Sequence, residues 1–505
     1  PWLPRTSAPQ PNAVSARKVL RLPGRLIFFV MVHLQGIEQV RTTFILPTIY
    51  IDTTRSTTSS RPVGTTEQYR LPFVHVRISI MTGGKQGGIF TGFGFGAIQA
   101  GLFTLEALRE NNFEQVVICE ISPEVVSRVR ENKGRFTVNI AHADGIESIE
   151  VGPIEILNPC CEADREILLE KLAHSREAAT AVPSVEAYSS TGPASIHRLL
   201  ANSIRTRKRA PLVVYTAENN NQAAEILRDA VRSESGLPEK DFDGSISFVN
   251  TVIGKMSGII TDPGEIEARQ LSGLVPGYET AILVEEFNRI LVSIPPTLAE
   301  DDWRPSFSTF ETRIDLLPFE EAKLYGHNGV HAMGAYLAAH LGLTRMDELR
   351  EVPGAVDFLH EALVQEAGAA LLARYGGIDE LFTPGGYAGY ADELIARMLN
   401  PHLGDLVARV ARDPERKLSW NDRLIGTLRL GLETGIKMPC FARAAAAALL
   451  FLEPALSTNP AAPQAILEPL WAADNPPVEE AAEICSLIET SLDKLRRNPP
   501  GDLFT

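Results

Sequence analysis

The segment from Gly87 to Glu120 reads GGIFTGFGFGAIQAGLFTLEALRENNFEQVVICE and decides the fold of the region that follows. Its first part, Gly88 to Phe93, is a short apolar strand that runs directly into glycines. From Ala97 to Glu110, apolar residues recur at spacings of three and four, as in a helix. Phe113 to Cys119 forms a second buried strand. The order of strand, glycine-rich turn, helix, strand and acid indicates a dinucleotide-binding βαβ unit.

The turn from Gly92 to Gly96 offers two registers for a phosphate-binding loop, one ending at Ala97 and one at Gln99. In either register, glycines let the backbone approach a pyrophosphate at the N-terminus of the helix. The alternative is a tight strand-to-helix turn without a ligand. Glu120 can accept hydrogen bonds from ribose hydroxyls and would repel a 2′-phosphate, which favours NAD over NADP. Its alternative is a solvated acid at the start of a helix. The candidate cofactor-binding residues are Gly92, Gly94, Gly96, Ala97, Ile98 and Glu120.

Length and composition are those of a globular protein with two or three domains. The chain has 505 residues and a net charge of −15, which argues against nucleic-acid or anionic-membrane binding by the whole chain. The five cysteines are scattered, with no CxxC pair and no zinc-like histidine spacing. We therefore expect no metal site and a location in the reducing cytoplasm.

Residues 1–80 differ from the rest of the chain. They hold 10 Lys+Arg and 3 Asp+Glu, whereas the remaining residues hold 38 and 60. Three interpretations are open: a basic disordered extension, a targeting segment around Leu26 to Leu34, or an extension foreign to a fold that starts near Met81. The apolar run of Leu26 to Leu34 is too short to span a membrane. We favour the third interpretation and predict an NAD-binding Rossmann-like domain over residues 81–296.

After about Pro296 the sequence changes character. Ala, Leu, Glu and Arg dominate, and apolar residues recur with helical spacing. This pattern predicts an α-helical substrate and catalytic domain over residues 297–505. The predicted fold class is an α/β Rossmann-type N-terminal domain followed by a mostly α-helical C-terminal domain.

One stretch of this second region, Leu317 to Ala339, concentrates polar side chains and reads LPFEEAKLYGHNGVHAMGAYLAA. Asn328 and His331 are three apart and share a helix face, and Lys323 lies about 80° from His331 around an ideal helix. A lysine in an apolar cleft can act as a base, while an amide and an imidazole hold an alkoxide or carbonyl oxygen. Such a set suits proton removal from a secondary alcohol as hydride leaves to a nicotinamide. Taken singly, the three residues have ordinary alternatives: a surface lysine, a helix cap and a core histidine. We expect the neighbouring histidines, His327 and His340, to have a structural role.

These residues carry a resemblance to the long-chain polyol (mannitol) dehydrogenase family, most closely to its branch that acts on mannitol 1-phosphate. Lys323 to Leu337 is similar to the family's K-x4-N-x2-H-A-x2-A-Y-L segment. Glu218-Asn219 resembles its C-E-N element, and Phe248 to Asn250 resembles the strand before its V-D-R-I element. Asn400 to Ile425, NPHLGDLVARVARDPERKLSWNDRLI, resembles a long C-terminal segment of the family. The resemblance extends from about Gly87 to Leu432.

The resemblance implies an active site between a Rossmann domain and a helical domain. It implies that Lys323 is the general base and that no metal is needed. The family's residues that bind and polarise the reacting oxygen correspond to Asn219, Asn328 and His331. Arg416 is a candidate for binding substrate hydroxyls or phosphate, because a guanidinium suits phosphate. A salt bridge from Arg416 to Asp422 or Asp405 is the alternative.

Two departures from the family pattern affect these expectations. Gln99 stands where a third glycine is expected, which alters how the helix packs. The V-D-R-I element becomes Ile253 to Met256, with Gly254 in place of the acid and Lys255 in place of the arginine. In some members that acid touches the polyol, so the substrate can differ from mannitol or its phosphate. Lys255 is the second substrate-binding candidate.

The expected function is an NAD-dependent oxidoreductase that interconverts a polyol or polyol phosphate and the corresponding ketose. One alternative is a dehydrogenase of a sugar acid or of another phosphorylated sugar, suggested by Gly254 and Lys255. The other is a family member that binds NAD without catalysis. The expected partner is a small-molecule polyol or sugar phosphate, with no nucleic acid and no membrane. We expect a monomer or a small homo-oligomer.

Overall fold

The computed structural model describes residues 21–22, 25–26, 87–207, 210–295, 303–457, 463–497 and 504. Most of the predicted extension over residues 1–80 therefore lies outside the described residues. Within it, two short strands, Arg21–Leu22 and Arg25–Leu26, pair antiparallel. The role of this extension stays a prediction.

Strands dominate the region that begins at residue 87. In chain order they are β1 Ile89–Phe93, β2 Gln115–Cys119, β3 Phe136–Ala141, β4 Ile146–Val151, β5 Glu155–Leu157, β6 Ser175–Thr180, β7 Leu212–Thr216, β8 Ile246–Ile253, β9 Ser257–Ile260, β10 Ala281–Glu285, β11 Ile290–Ser293 and β12 Phe310–Arg313.

Most of these strands form one sheet in the order β12-β11-β8-β7-β6-β1-β2-β5. The six strands from β8 to β5 are parallel to their neighbours. Numbered by chain order, these six follow the 3-2-1-4-5-6 arrangement of dinucleotide-binding folds. Strand β11 adds antiparallel to β8, and β12 adds parallel to β11.

The apolar character of these strands follows from burial on both faces of a parallel sheet. Strand β7, LVVYT, is buried at all five positions, and β1 and β2 are buried at four of five. A second sheet has the order β9-β10-β3-β4 and shares a hydrophobic core with the first.

Helices cover the sheet, and most of the chain after it is helical. Those of the α/β region are α1 (a π-helical turn, Gln99–Thr104, that continues into Leu105–Arg109), α2 Pro123–Glu131, α3 Glu162–His174, α4 Ile196–Arg205, α5 Ala223–Ser235, α6 Glu239–Asp243 and α7 Pro263–Ala268. Helix α2 starts as its sequence predicts, since Ser122 accepts a hydrogen bond from the Val125 backbone N–H and Pro123 takes the first position.

The remaining helices build the C-terminal region. They are α8 (Leu317–Glu321, a π-helical turn at Ala322–Asn328, then Gly329–His340), α9 (Ala355–Glu361, a π-helical turn at Ala362–Gly368, then Ala369–Tyr375), α10 Pro384–Met398, α11 Val407–Val410, α12 Pro414–Lys417, α13 Ile425–Thr434, α14 Pro439–Leu452, α15 Gln464–Trp471 and α16 Val478–Arg497. Short 3₁₀ turns occupy Val185–Ser189, Met346–Glu351, Glu380–Phe382, Pro454–Ser457 and Ala472–Asp474.

The predicted fold class is confirmed: a parallel-sheet α/β region is followed by a helical region. The boundary predicted at residues 296–297 stays a prediction, and one further strand of the main sheet, β12, comes after it. Among the helices that the structure describes, none combines the length and hydropathy needed to cross a membrane.

Two of the π-helical turns meet around one tyrosine. A Cβ on Gly326 would lie 2.6 Å from the Tyr387 hydroxyl oxygen, and a Cβ on Gly368 would lie 2.6 Å from a Tyr387 ring carbon. Tyr387 is fully buried between them. The two glycines therefore let α8 and α9 close on Tyr387 of α10, and this packing holds the π-helical turn of α8 in place.

Replacing Gly368 with alanine should destabilise the fold. The new methyl group would meet the Tyr387 ring and, at 2.7 Å, the Leu363 carbonyl oxygen, which cannot move away easily. Overpacking of this kind costs about 1–3 kcal/mol, which urea unfolding would measure as a lower free energy of unfolding. Gly389→Ala in α10 is the matched control, because its Cβ meets nothing within 4 Å and alanine favours a helix. Equal stability changes in the two variants would contradict this packing.

Candidate functional site

The order of the main sheet reverses between β1 and β6, which creates a crevice at the carboxyl ends of the strands. Gly94 lies at this point with a φ of +83°. A Cβ there would be 2.8 Å from the Ala181 carbonyl oxygen, so both backbone conformation and space require glycine. The Gly94 backbone N–H donates to the Cys119 carbonyl oxygen at 2.8 Å, which ties the turn to β2.

Gln99 takes the place of the missing third glycine in an unexpected way. Its side chain is fully buried and packs against Gly92, where any Cβ would lie 2.2 Å from Gln99 Nε2. Neither polar atom of this amide has a hydrogen-bond partner among the described residues. The first turn of α1 is π-helical at this point. The bulky residue therefore lies on the helix, and the glycine that accommodates it lies on the strand.

The remaining cofactor candidates surround the crevice. Space is open where a Cβ would project from Gly96, with nothing within 4 Å. Ala97 and Ile98 begin the helical turn, where backbone N–H groups have no intrahelical acceptor and attract anions. Glu120 is partly exposed at the end of β2, and one of its carboxylate oxygens accepts from the Ser122 N–H at 2.7 Å. These residues could hold a dinucleotide along the crevice.

Lys323 lies in the π-helical turn of α8 and faces the α/β region. Its ammonium nitrogen donates to Asn219 Oδ1 at 3.3 Å. Burial lowers the pKa of Lys323 to about 8, Arg423 contributes to the lowering, and Glu320 opposes it. Glu320 lies three residues earlier on the same helix, and burial together with Glu225 raises its pKa to about 7. A lysine and a carboxyl group three residues apart on one helix therefore both have pKa values near neutrality.

Asn219 reaches Lys323 because its neighbour Glu218 anchors the loop after β7. The Glu218 carboxylate is buried and accepts hydrogen bonds from Thr180 Oγ1 at 2.8 Å and the Val182 N–H at 2.9 Å. The Tyr188 hydroxyl donates to the same carboxylate. This anchor joins the ends of β6 and β7, so the position of Asn219 at the crevice is set by buried contacts.

Asn328 and His331 lie on the same helix as Lys323, Asn328 at the end of the π-helical turn and His331 beyond it. His331 Nε2 is 3.0 Å from Asp405 Oδ2, and Asp405 also binds Arg409. Asn328 is partly buried at the last position of the π-helical turn. Helix α8 therefore carries three of the four predicted catalytic residues, and the loop after β7 supplies the fourth.

The two predicted substrate-binding residues have other partners. Arg416 is half-exposed and its Nη1 pairs with Asp422 Oδ2 at 3.2 Å, which is the alternative that the sequence left open. The Lys255 side chain is buried, and its ammonium donates to the carbonyl oxygens of Glu285 and Phe287 and to Asn288 Oδ1. The structure thus uses the Lys255 ammonium to hold a loop and does not bring it to Lys323.

A cavity of about 290 Å³ lies beside Lys323. Its lining includes Gly254, His327, Tyr390 and Arg397. A Cβ on Gly254 would be 3.9 Å from His327 Nδ1, so the glycine leaves space where the family's acid would project. Burial, with the nearby His331 and Arg397, lowers the pKa of His327 well below its ordinary value. The imidazole of His327 is therefore neutral at the cavity wall.

Several residues of this site were not identified from the sequence. The sequence singles out neither Glu320 nor Arg423, leaves His327 with a structural role, and offers Asp405 only as a salt-bridge partner of Arg416. Glu320 could have been predicted from the sequence, because an acid three positions before a candidate base lies on the same helix face. Arg423 and Asp405 lie inside the long family-like segment, but nothing in their spacing distinguishes them from its other charged residues. The described residues contain no group of three or more His, Cys, Asp or Glu side chains placed to hold a metal ion.

The chain is similar to known proteins in sequence and in fold. Residues 315–489 match the family model of the mannitol dehydrogenase C-terminal domain. A mannitol-1-phosphate 5-dehydrogenase of Bacillus licheniformis is 27% identical over 366 residues, which cover 71% of this chain and 86% of that protein. The resemblance to the mannitol dehydrogenase family is confirmed. The Bacillus subtilis protein of the same name is 29% identical over 366 residues, with the same shares covered.

Two solved structures share the fold of this chain. A D-sorbitol dehydrogenase in substrate-free form has a TM-score of 0.65 at 14% identity and covers 83% of this chain and 97% of its own. The ternary complex of Pseudomonas fluorescens mannitol 2-dehydrogenase with NAD and D-mannitol has a TM-score of 0.59 at 17% identity, with 83% and 96% covered. At these identities the likeness concerns the fold alone.

Replacing Gly96 with alanine should weaken binding of NADH. The protein itself has room for the methyl group, but that group would occupy the space through which a pyrophosphate approaches the helix. We expect the Kd from NADH fluorescence titration to rise about tenfold or more, equivalent to about 1.4 kcal/mol. Gly145→Ala, which also meets nothing within 4 Å, should leave the Kd unchanged. An unchanged Kd in the Gly96 variant would place the dinucleotide elsewhere.

Proposed function

We propose that this chain is an NAD-dependent oxidoreductase that interconverts a polyol or polyol phosphate and the corresponding ketose. The observation that carries the proposal is the pair of Lys323 and Asn219. It joins the helical region to the carboxyl end of a parallel strand, where dinucleotide-binding folds present their substrates. The names of the relatives, mannitol-1-phosphate 5-dehydrogenase and mannitol 2-dehydrogenase, support the same substrate class.

Lys323 acts as the general base in the oxidation. With a pKa of about 8, a substantial fraction of its amine is neutral near physiological pH and can accept the proton of the secondary hydroxyl. Bound NAD would supply the acceptor for the hydride that leaves the same carbon. Loss of the hydroxyl proton and of the hydride leaves a carbonyl group, so a ketose, NADH and one proton are formed.

Amide and imidazole groups hold the reacting oxygen. Because Asn219 Oδ1 accepts from Lys323, its Nδ2 group is left to donate to the alkoxide or carbonyl oxygen. Asn328 and His331 are the other side chains proposed to hold this oxygen. Preorganised donors of this kind stabilise charge as it develops on oxygen, and removal of one such donor typically lowers kcat about 10²- to 10³-fold.

Glu320 gives the proton a route away from Lys323. Its pKa of about 7 lies close to the pKa of about 8 of Lys323, and each group limits the shift of the other's pKa. A proton can therefore pass from the ammonium to this carboxylate without a large free-energy step. Glu320 is partly exposed, so it can release the proton to solvent.

NAD is the proposed cofactor because Glu120 lies at the end of β2, where this fold binds the adenosine ribose. A carboxylate there accepts from both ribose hydroxyls and repels the additional phosphate of NADP. The free cysteines support a location in the reducing cytoplasm.

Gly254 favours a second candidate, a dehydrogenase of a sugar acid or of another phosphorylated sugar. Without the family's acid, the wall of the cavity beside Lys323 lacks one negative charge and has more space. An anionic or larger substituent on the substrate would then meet less repulsion there. A chain that binds NAD without catalysis is the remaining alternative, and the retained catalytic set argues against it.

Replacing Lys323 with alanine should abolish turnover while the Kd for NADH stays nearly unchanged. The assay is NAD reduction with a panel of polyols, polyol phosphates and hexonates, followed at 340 nm. Polyols or their phosphates as the best substrates support the first candidate, and hexonates support the second. Lys437→Ala, at an exposed position of the helical region, should retain full activity. Turnover retained in the Lys323 variant, or loss of NADH binding instead, would contradict the assigned role.

The pH dependence of the two directions should be opposite. Oxidation needs the neutral amine, so kcat rises with pH and levels off above about 8, whereas ketose reduction needs the ammonium and falls above about 8. The Glu320 carboxylate favours the ammonium, so Glu320→Gln should move both midpoints to lower pH. Profiles of kcat for both directions measure this. Midpoints that move to higher pH would show that Glu320 does not act on Lys323 in this way.

A further inference from the structure

Asp405 lies beneath the catalytic helix in a closed environment. Its side chain is 1% exposed, and it follows Gly404, whose φ is +57°. Its backbone carbonyl oxygen accepts from the Met346 N–H at 2.9 Å. This hydrogen bond fixes the backbone at Asp405, and the carboxylate contacts His331 of α8.

The two carboxylate oxygens of Asp405 have different partners. Oδ2 is 3.0 Å from His331 Nε2, while Oδ1 accepts from Arg409 Nε at 2.7 Å and pairs with Arg409 Nη2 at 2.5 Å. The contact at 3.0 Å is an ion-pair distance, and neither His331 Nε2 nor Asp405 Oδ2 meets hydrogen-bond geometry with any partner among the described residues. The two atoms thus have only each other in the part of the chain that is described.

The charge on Asp405 follows from its partners. Burial alone would raise the pKa of Asp405, but His331 and Arg409 together lower it below its ordinary value. The group is therefore a carboxylate at neutral pH. Because a carboxylate only accepts hydrogen bonds, the facing nitrogen of His331 must carry the proton, and Nδ1 is left for other partners.

We propose that Asp405 is a positioning residue that acts through His331, fixing the protonated nitrogen and the orientation of its ring, with Arg409 holding the carboxylate in place. The consequence for catalysis rests on the proposed function. With Nε2 held by Asp405, Nδ1 is the nitrogen available to the substrate. A carboxylate that fixes the tautomer and the orientation of a histidine in this way supports the contact that the ring makes on its other side.

The kinetic test compares Asp405→Asn with Asp392→Asn. Asp392 is a matched control, because it also forms a carboxylate–histidine pair in the helical region, with His360 at 3.2 Å, but on the surface. We expect kcat of Asp405→Asn to fall about 10- to 100-fold, as for other groups that orient a histidine, with the KM for NAD unchanged. Asp392→Asn should keep full activity. A kcat within twofold of the parent, or equal losses in both variants, overturns the proposal.

A double-variant cycle separates positioning from a general structural role. If Asp405 acts through His331, then Asp405→Asn should lower kcat no further in a chain that already carries His331→Gln. If the two reductions in kcat multiply in the double variant, Asp405 acts independently of the histidine, and the proposal is overturned.

A spectroscopic test needs no substrate, so it remains decisive if the substrate panel shows no turnover. In ¹⁵N-histidine-labelled full-length protein at pH 8.5, the His331 signals are those missing from His331→Gln. We expect a protonated Nε2 and an unprotonated Nδ1 in the parent, and altered His331 nitrogen shifts in Asp405→Asn. Should that variant fail to fold, Arg409→Gln keeps the carboxylate but frees it, and it should also alter the His331 shifts. Unaltered shifts in the variant that folds overturn the proposal.

Discussion

The guanidinium of Arg397 fastens the helical region to the α/β region. From α10 it donates to both carboxylate oxygens of Glu285, at 2.8 and 2.7 Å, and to the carbonyl oxygen of Gly254 at 2.5 Å. It also lies 3.7 Å from the centre of the Phe287 ring. Both charged side chains are largely buried, and breaking such a pair by removing one partner costs about 3–5 kcal/mol. The wall of the cavity beside Lys323 therefore depends on this ion pair.

Within that framework, opposing electrostatic effects set the protonation of the site. Burial and Arg423 favour a neutral Lys323, and Glu320 favours the ammonium. Burial and Glu225 favour a protonated Glu320, and Lys323 opposes this. Neither group reaches an extreme, because each limits the shift of the other. Acid and base groups with pKa values close to the working pH suit proton transfer, and the proposed general base and its acidic neighbour have such values.

Local patterns predict the fold better than they predict the contacts of the site. The order of strand, glycines, helix and acid in Gly87 to Glu120 indicates the dinucleotide-type sheet, because apolar runs and glycines report directly on backbone and burial. The resemblance to a family selects Lys323 and Asn219, which lie 104 positions apart and are hydrogen-bonded in the structure. The π-helical turn that carries Lys323 has no such signal, so angles calculated for an ideal helix do not describe it. Lys255 binds mainly backbone carbonyl oxygens, and Asp405 meets His331 across a tertiary contact, so neither partner is visible in side-chain spacing.

The contact between Gln99 and Gly92 limits how this loop can change during evolution. While the amide is present, position 92 accepts no side chain, since any Cβ would overlap Gln99 Nε2. A change of Gln99 to the glycine of the usual fingerprint would leave an amide-sized void in the core until position 92 became larger, and a change at position 92 alone would meet a steric clash. The two positions can therefore exchange their residues only through an intermediate that is less stable than either end state. Packing between these two positions therefore constrains the loop in addition to any requirement of a ligand.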